Sequence, residues 1–391
     1  MKMFMILSFI LSLSAIIITL KILVGYNPEF SFRRKMIIAV VVVFAWFCPT
    51  ISGMIRWLKL LPAVPALYVS QGLYVLFVTA MFLLGILLIR DLFWIHGYQI
   101  AQKLRKTSPD YDPMKPEAIK KANVAAVVAA LLLSGYSLYQ GLKFPAIRET
   151  TIVSDKIERP VRIVALTDLH ITPATSVSFV EKMVRTVNKL RPDMIALIGD
   201  IVDAKPSLLK EQMNALSKLE AKLGVFATLG NHEFYHGSLD WAEKFKKAGF
   251  SYLENKGLML NEVNVYLSGL PDPQMLMISP RTMKGIEATF KAAPEGAYRV
   301  FLSHSPRFIE KLSKDFIDLQ ISGHTHGGQI FPFHFFVKRF NRFVSGLYDV
   351  EGMKLYVSRG AGGWGPPMRL FAPSEISLIM LVPPQNKNAT D

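Results

Sequence analysis

Four long apolar runs open the chain and short alternating runs follow, so two different kinds of structure are expected in one polypeptide. The long runs extend approximately over residues 3–24, 36–55, 66–89 and 122–142. About 20 helical residues cross the hydrocarbon of a bilayer, so each run is read as a transmembrane helix. Charge or proline marks their ends: Arg33, Arg34 and Lys35 precede the second, Pro62 and Pro65 precede the third, and Arg90 and Asp91 close it. The first run has only Lys2 as a basic start and lacks a small-x-small cleavage site, so it is read as a retained anchor, not a signal peptide. No charge falls near the middle of any run, which argues for anchoring and against an ion path or a transporter.

After an expected linker at 146–161, the pattern shortens. Apolar, β-branched runs occur at 162–167, 194–198, 225–229, 263–269, 299–303, 319–322, 354–358 and 375–381. Amphipathic stretches at 179–190 and 208–223 separate the first of them, so βαβ units near the start and a strand-rich second half are predicted. Residues 162–382 are expected to form one α/β domain, with 383–391 as a tail.

Charge refines this division. The net charge is +15, but residues 1–150 carry 16 Lys and Arg against 6 Asp and Glu, whereas 151–391 carry 29 against 24. Basic residues concentrated in loops between spans indicate membrane orientation, not a nucleic-acid partner, and none is expected. The first loop holds Arg33, Arg34 and Lys35, and the third holds seven basic residues including Lys103, Arg105 and Lys106. The positive-inside rule places those loops in the cytoplasm and the C-terminal domain outside it. A single cysteine, Cys48, excludes an intrachain disulfide and any cysteine-based metal site, so a metal here is held by nitrogen and oxygen.

The chemistry gathers at the ends of the predicted strands. In order come Asp168 and His170; Gly199 and Asp200, with Asp203 three residues on; Gly230, Asn231, His232 and Glu233; His304; and Gly323, His324 and His326. Polar groups at strand ends of an open sheet share one crevice. Asp168 and His170, two apart in an extended chain, are expected to project on one side, as are His324 and His326. The ligands outnumber what one ion takes, which implies two ions roughly 3.5–4 Å apart, a spacing that clamps both oxygens of a phosphate ester.

This series, D-x-H, G-D-x-x-D, G-N-H-[DE], a lone H and G-H-x-H, resembles the calcineurin-like metallophosphoesterases, and all five blocks occur in order over about 160 residues. The strings from Gly323 to Gln329, Ser358-Arg359-Gly360 and Pro373 to Ile376 resemble its membrane-associated bacterial branch. The resemblance implies a four-layer α/β/β/α sandwich behind the all-α transmembrane region. It implies one ion held by Asp168, His170, Asp200 and His326, and another by Asp200, Asn231, His304 and His324. Asp200 would bridge them, His232 would act on the phosphoryl group or the leaving oxygen, and a hydroxide bridging the ions would attack. The ligand set suits Mn, Fe, Zn or Co without choosing among them. Asp203 is expected to support a ligand or cap a turn and not to bind metal itself, Glu233 to orient a loop or a ligand, His236 and His334 to lie at the surface or on the substrate side, and Arg359 to contact phosphate or form a salt bridge.

Between Ile330 and Tyr348, phenylalanines 331, 333, 335, 336, 340 and 343 alternate with Lys338, Arg339 and Arg342. Such a mixture suits a membrane interface as well as a domain core. The expected activity is hydrolysis of a phosphodiester or pyrophosphate bond, with a phospholipid or lipid-linked substrate. Some members of the branch hydrolyse UDP-2,3-diacylglucosamine in lipid A synthesis, but that substrate is cytoplasmic and the charge pattern places the domain outside. A non-catalytic sensor of a phosphorylated ligand is the alternative of another class.

Overall fold

The computed structural model describes residues 12–105, 115–272 and 287–384; the start of the first apolar run, Lys106 and the end of the tail lie outside them. The chain divides into two compact units, one of Met1–Tyr139 with Gly365–Met368 and the other of Gln140–Trp364 with Arg369–Asp391.

The first unit is helical. Helix α1 spans Ser12–Gly25, α2 Phe32–Trp57 and α3 Ala63–Arg90. A π-helical turn continues α3 into α4, Gly97–Arg105, and α5 covers Pro116–Leu142. Among the described residues three helices, including the continuous Ala63–Leu104, are long and apolar enough to cross a membrane, and the described part of α1 is shorter. On α5 the buried positions Ala122, Ala126, Ala130 and Ser134 recur every fourth residue. Small side chains on one stripe let helix backbones approach closely where lipid supplies no hydrophobic drive. The Ser134 hydroxyl accepts a hydrogen bond from Thr79 of α3 at 2.9 Å, and Trp46 of α2 meets Phe77 of α3 edge to face.

The second unit is a pair of six-stranded sheets. In chain order its strands are β1 Ala146–Val153, β2 Val161–Leu166, β3 Met194–Ile198, β4 Val225–Thr228, β5 Ser251–Tyr252, β6 Lys256–Leu260, β7 Val265–Leu270, β8 Tyr298–Ser303, β9 Leu319–Ser322, β10 Gly346–Val350, β11 Met353–Val357 and β12 Glu375–Val382. One sheet has the order β1-β12-β2-β3-β4-β5 and the other β10-β11-β9-β8-β7-β6. Alternation along each strand assigns the layers. Ile163 and Ala165 of β2 face the core between the sheets with Val300 and Leu302 of β8, while Val164 and Leu166 face the helices. Those helices are α6 Val177–Lys189, α7 Lys210–Leu216 and α9 Ser238–Lys247, with the short α8 Asn231–Tyr235 before the last. Ser176 caps α6 by accepting from the Phe179 amide at 3.2 Å, and Val180, Met183, Val184 and Val187 form its buried stripe. A 3-10 helix, Pro306–Lys311, packs on the outer face of the second sheet through Phe308 and Ile309, and helix α10, His334–Asn341, has no buried residue.

The expected linker at 146–161 instead contains β1, paired in parallel with β12 along all eight of its residues. Only Ile152 of β1 is buried. An edge strand recruited through its backbone shows little hydrophobic alternation, which is why the sequence pattern does not reveal it.

Strands β2, β3, β4 and β5 are parallel, as are β7, β8, β9 and β11. Their C-terminal ends therefore emerge at one edge of each sheet, and the polar residues picked out in the sequence follow those ends.

Candidate metal centre

Strands β2, β3 and β9 each end in a sharp turn. Asp168, His170, Asp200, His324 and His326 all have positive φ, between 46° and 71°. The expected extended geometry for Asp168-x-His170 and His324-x-His326 is thus corrected: a left-handed turn, not strand alternation, brings Asp168 and His170 together, and the turns at His324 and His326 send those two rings to different groups. A non-glycine residue in this region costs on the order of 1 kcal/mol, and five clustered in one site mark strain held by the surrounding fold. The Asp168 and His170 amides donate to the Gly199 and Asp200 carbonyls at 3.1 and 2.9 Å, tying the first two turns to each other.

Two groups of ligand atoms result, each within 4.8 Å: Asp168, His170 and His326; and Asp200, His304 and His324. Asp200 joins them, for it also groups with His170 and His232. His170 Nε2 and His326 Nε2 face each other at 3.1 Å, and His304 Nε2 faces His324 Nδ1 at 3.3 Å. His326 Nε2 lies 3.3 Å from Asp168 Oδ1, and His304 Nε2 lies 3.1 Å from Asp200 Oδ2. Ring nitrogens turned toward one another and toward carboxylates call for a cation between them.

Protonation points the same way. Burial lowers the pKa of His170, His324 and His326, so these rings are neutral, the form that binds metal. For His304 burial also acts downward, but the Asp200 charge and hydrogen bond raise it well above the ordinary value. Its Nδ1 is placed to donate to the Ile198 carbonyl at 3.0 Å, which leaves Nε2 for the site. The carboxylate that would hold a proton there would equally hold an ion. The Asn231 Oδ1 atom is buried without a hydrogen-bond partner, an acceptor that fits an ion and nothing else at hand. The seven side chains expected as ligands therefore fit divalent ions.

Residues 161–328 match the family described as calcineurin-like phosphoesterase. An uncharacterized metallophosphoesterase of Campylobacter jejuni is 35% identical over 270 residues, which cover 66% of this chain and 69% of that protein. The chain belongs to this family. As a calcineurin-like phosphoesterase it is a metal-dependent phosphoester hydrolase. An uncharacterized metallophosphoesterase of Helicobacter pylori J99 is also 35% identical, over 70% of this chain and 74% of its own length. The zebrafish (Danio rerio) transmembrane protein with metallophosphoesterase domain is 27% identical over 83% of this chain and 74% of that protein.

In this phosphoesterase His232 stands beside the two groups. Its amide donates to Asp200 Oδ1 at 2.8 Å, and its ring Nδ1 lies 2.9 Å from Asp203 Oδ1. Burial would lower the His232 pKa, but the Asp203 hydrogen bond and the charges of Asp200, Asp203 and Glu233 raise it above the ordinary histidine value. The same Asp203 oxygen receives His236 Nε2 at 2.9 Å. His236 is thus one of the groups that hold Asp203, a role the sequence did not distinguish from a surface position. Removing the Asp203 charge takes away what favours protonated His232. Asp203→Asn is expected to move the alkaline limb of the kcat/KM profile to lower pH, which a pH–rate series checks.

Glu233 is fully buried, and its carboxylate accepts from the amides of Gly230, Asp200, Ile201 and Val202 at 2.7 to 3.0 Å. Burial and the Asp200 charge push this carboxyl up to about 7, against those donors. It clamps the turns after β3 and β4 together. Glu233→Gln turns amide hydrogens toward amide donors, and a loss of roughly 3 kcal/mol is expected. For a domain of this size that is about 10 °C in Tm, read by thermal unfolding.

Close packing also explains two glycines. A Cβ on Gly230 would lie 2.2 Å from Asp200 Oδ1, and one on Gly323 2.2 Å from Asp168 Oδ2. Their role is room for the two carboxylates. Arg359 forms the salt bridge of the two expected roles, at 2.8 Å from Glu375. Two buried residues escaped the sequence reading. Arg369 donates to the carbonyls of His326, Arg359 and Ala372 and so supports the His326 turn. Asp272 follows β7 at the same edge, and its charge raises the His304 pKa. Neither belongs to a repeated motif, so no spacing signals them.

Proposed function

We propose that the chain is a membrane-anchored, dinuclear phosphodiesterase or pyrophosphatase acting on a lipid-linked phosphate. The observation that carries this reading is the paired arrangement of Asp168, His170 and His326 with Asp200, His304 and His324, joined through Asp200. When bound, two divalent ions (Mn, Fe, Zn or Co) supply positive charge for the phosphoryl oxygens and an activated water as nucleophile. The protein's part is positional. Asp200 sits between the groups, Asn231 Oδ1 offers its unpaired acceptor to the second, and Glu233 keeps the Asp200 turn from shifting. His232, held by Asp203 and biased toward its protonated form, gives a proton to the departing oxygen.

Support for a lipid-linked substrate comes from Phe335, Phe336 and Phe340, which are 61%, 62% and 67% exposed on α10 beside Lys338 and Arg339. Exposed rings among cations suit headgroup depth. Four spans with the basic loops in the cytoplasm would put this domain outside. A reporter fused after Asp391 that is active only in the cytoplasm would reverse that orientation and favour the UDP-2,3-diacylglucosamine substrate.

The activity test is hydrolysis of bis-p-nitrophenyl phosphate by the full chain in detergent. Turnover that requires added Mn²⁺ and stops with chelator supports the reading. Metal binding without turnover of any phosphodiester supports the sensor instead.

A further inference from the structure

Beside the His326 turn is a cleft of about 450 Å³ whose lining includes Gly327, His334, Lys338, Arg342, Tyr348 and Arg359, and no acidic residue. His334 and Lys338 are one turn apart on α10, and Arg342 follows at its end. Two of these cations are answered from outside the cleft: Arg359 by Glu375 at 2.8 Å and Arg342 by Glu310 at 3.0 Å. Lys338 has no carboxylate within ion-pair distance among the described residues. The Arg342 side chain is 72% exposed, so its surface pair holds it weakly. Tyr348 adds a donor. Its hydroxyl accepts from the amides of Val344 and Ser345 at 3.1 and 3.3 Å, which leaves its own proton to give. Phe331 and Phe371, 5.7 Å apart edge to face, form an apolar wall.

We propose that this cleft is a second anion subsite, one that holds a phosphate the enzyme does not cleave. One unanswered cation, Lys338, a weakly held Arg342 beside it, a free hydroxyl donor and an apolar wall are the chemistry that takes a phosphate by charge-assisted hydrogen bonds. Gly327 directly follows His326, so the subsite adjoins the metal centre and one molecule can occupy both. This rests on the phosphoesterase reading of that centre, and it names the substrate class: a phosphoester carrying a second phosphate, on a soluble molecule or a lipid.

The test is calorimetric titration of the metal-loaded full chain in detergent with α,ω-alkanediol bisphosphates of graded length and their monophosphates. At one length the bisphosphate should bind at least about tenfold more tightly than its monophosphate, beyond the roughly twofold statistical gain. Lys338→Gln combined with Tyr348→Phe should erase that gain, while Lys314→Glu, an exposed charge change, should keep it. A gain absent at every length, or surviving the double substitution, would overturn the subsite. Phosphatidic acid in the micelles that competes the gain away would identify a lipid phosphate as occupant; a gain indifferent to it would identify a soluble one. Turnover of bis-p-nitrophenyl phosphate is followed separately, so a failure of the metal-centre reading is seen independently of the binding ratio.

Discussion

Asp200→Asn is expected to lower kcat/KM for a phosphodiester by at least about 10³-fold, since the loss of a shared metal charge is worth several kcal/mol. The residue meets both ligand groups: its Oδ2 lies 3.1 Å from His304 Nε2 and 3.8 Å from His170 Nε2. The site's three neighbouring histidines overcome burial and hold its carboxyl well below the usual carboxylate range, so it is ionised at any pH where the protein works. The amide cannot carry that charge. Metal analysis should show the bound ions falling from two per chain toward one. Unchanged metal content with unchanged activity would remove Asp200 from the bridging position. Because Oδ1 also accepts the His232 amide at 2.8 Å, the variant's Tm should be measured in parallel to separate lost metal from a loosened turn.

The second large effect is at His232. Replacement by alanine should reduce kcat by about 10²- to 10⁴-fold, the range for a positioned general acid, with a smaller change in KM. The diagnostic is the leaving group. A p-nitrophenolate departs readily without a proton, whereas an alkoxide does not, so the loss should be much larger for an alkyl diester than for bis-p-nitrophenyl phosphate. Equal losses for both would assign His232 to charge stabilisation of the phosphoryl group instead. The same logic orders the Asp203 variant: Asp203→Asn keeps the imidazole but lowers its pKa, so its deficit should shrink as the pH falls.

These residues were recognisable in the sequence because a metal centre needs particular atom types at strand ends. Asp168, Asp200, Asn231 and the histidines at 170, 304, 324 and 326 offer such atoms in the sequence, and six of them, all but Asn231, come together in groups that could hold an ion. What the sequence does not display is how they converge. Left-handed φ values at Asp168, His170 and Asp200 are properties of turns locked by neighbours, and Glu233, expected to orient a loop or a ligand, shows which turns it holds only through its four amide donors. The strands of the domain were legible where they are buried on both faces, as in β2, β3 and β4, whereas the layers followed only from the family resemblance. Strand β1 was not, because with a single buried side chain it contributes backbone pairing and little hydrophobic pattern. This bears on experiment. A fragment beginning at residue 150 would cut β1 and remove half of its register with β12, so the full chain is the proper object of study.

The proposed mechanism depends on two catalytic ions bound to each chain. The most direct measurement is metal stoichiometry by mass spectrometry during Mn²⁺ reconstitution of the chelator-stripped full chain, with phosphodiester hydrolysis followed on the same samples. Two ions per chain are expected, with activity that rises as the second is bound. A folded protein that binds no transition metal, or hydrolyses the diester equally well when stripped, would contradict this mechanism.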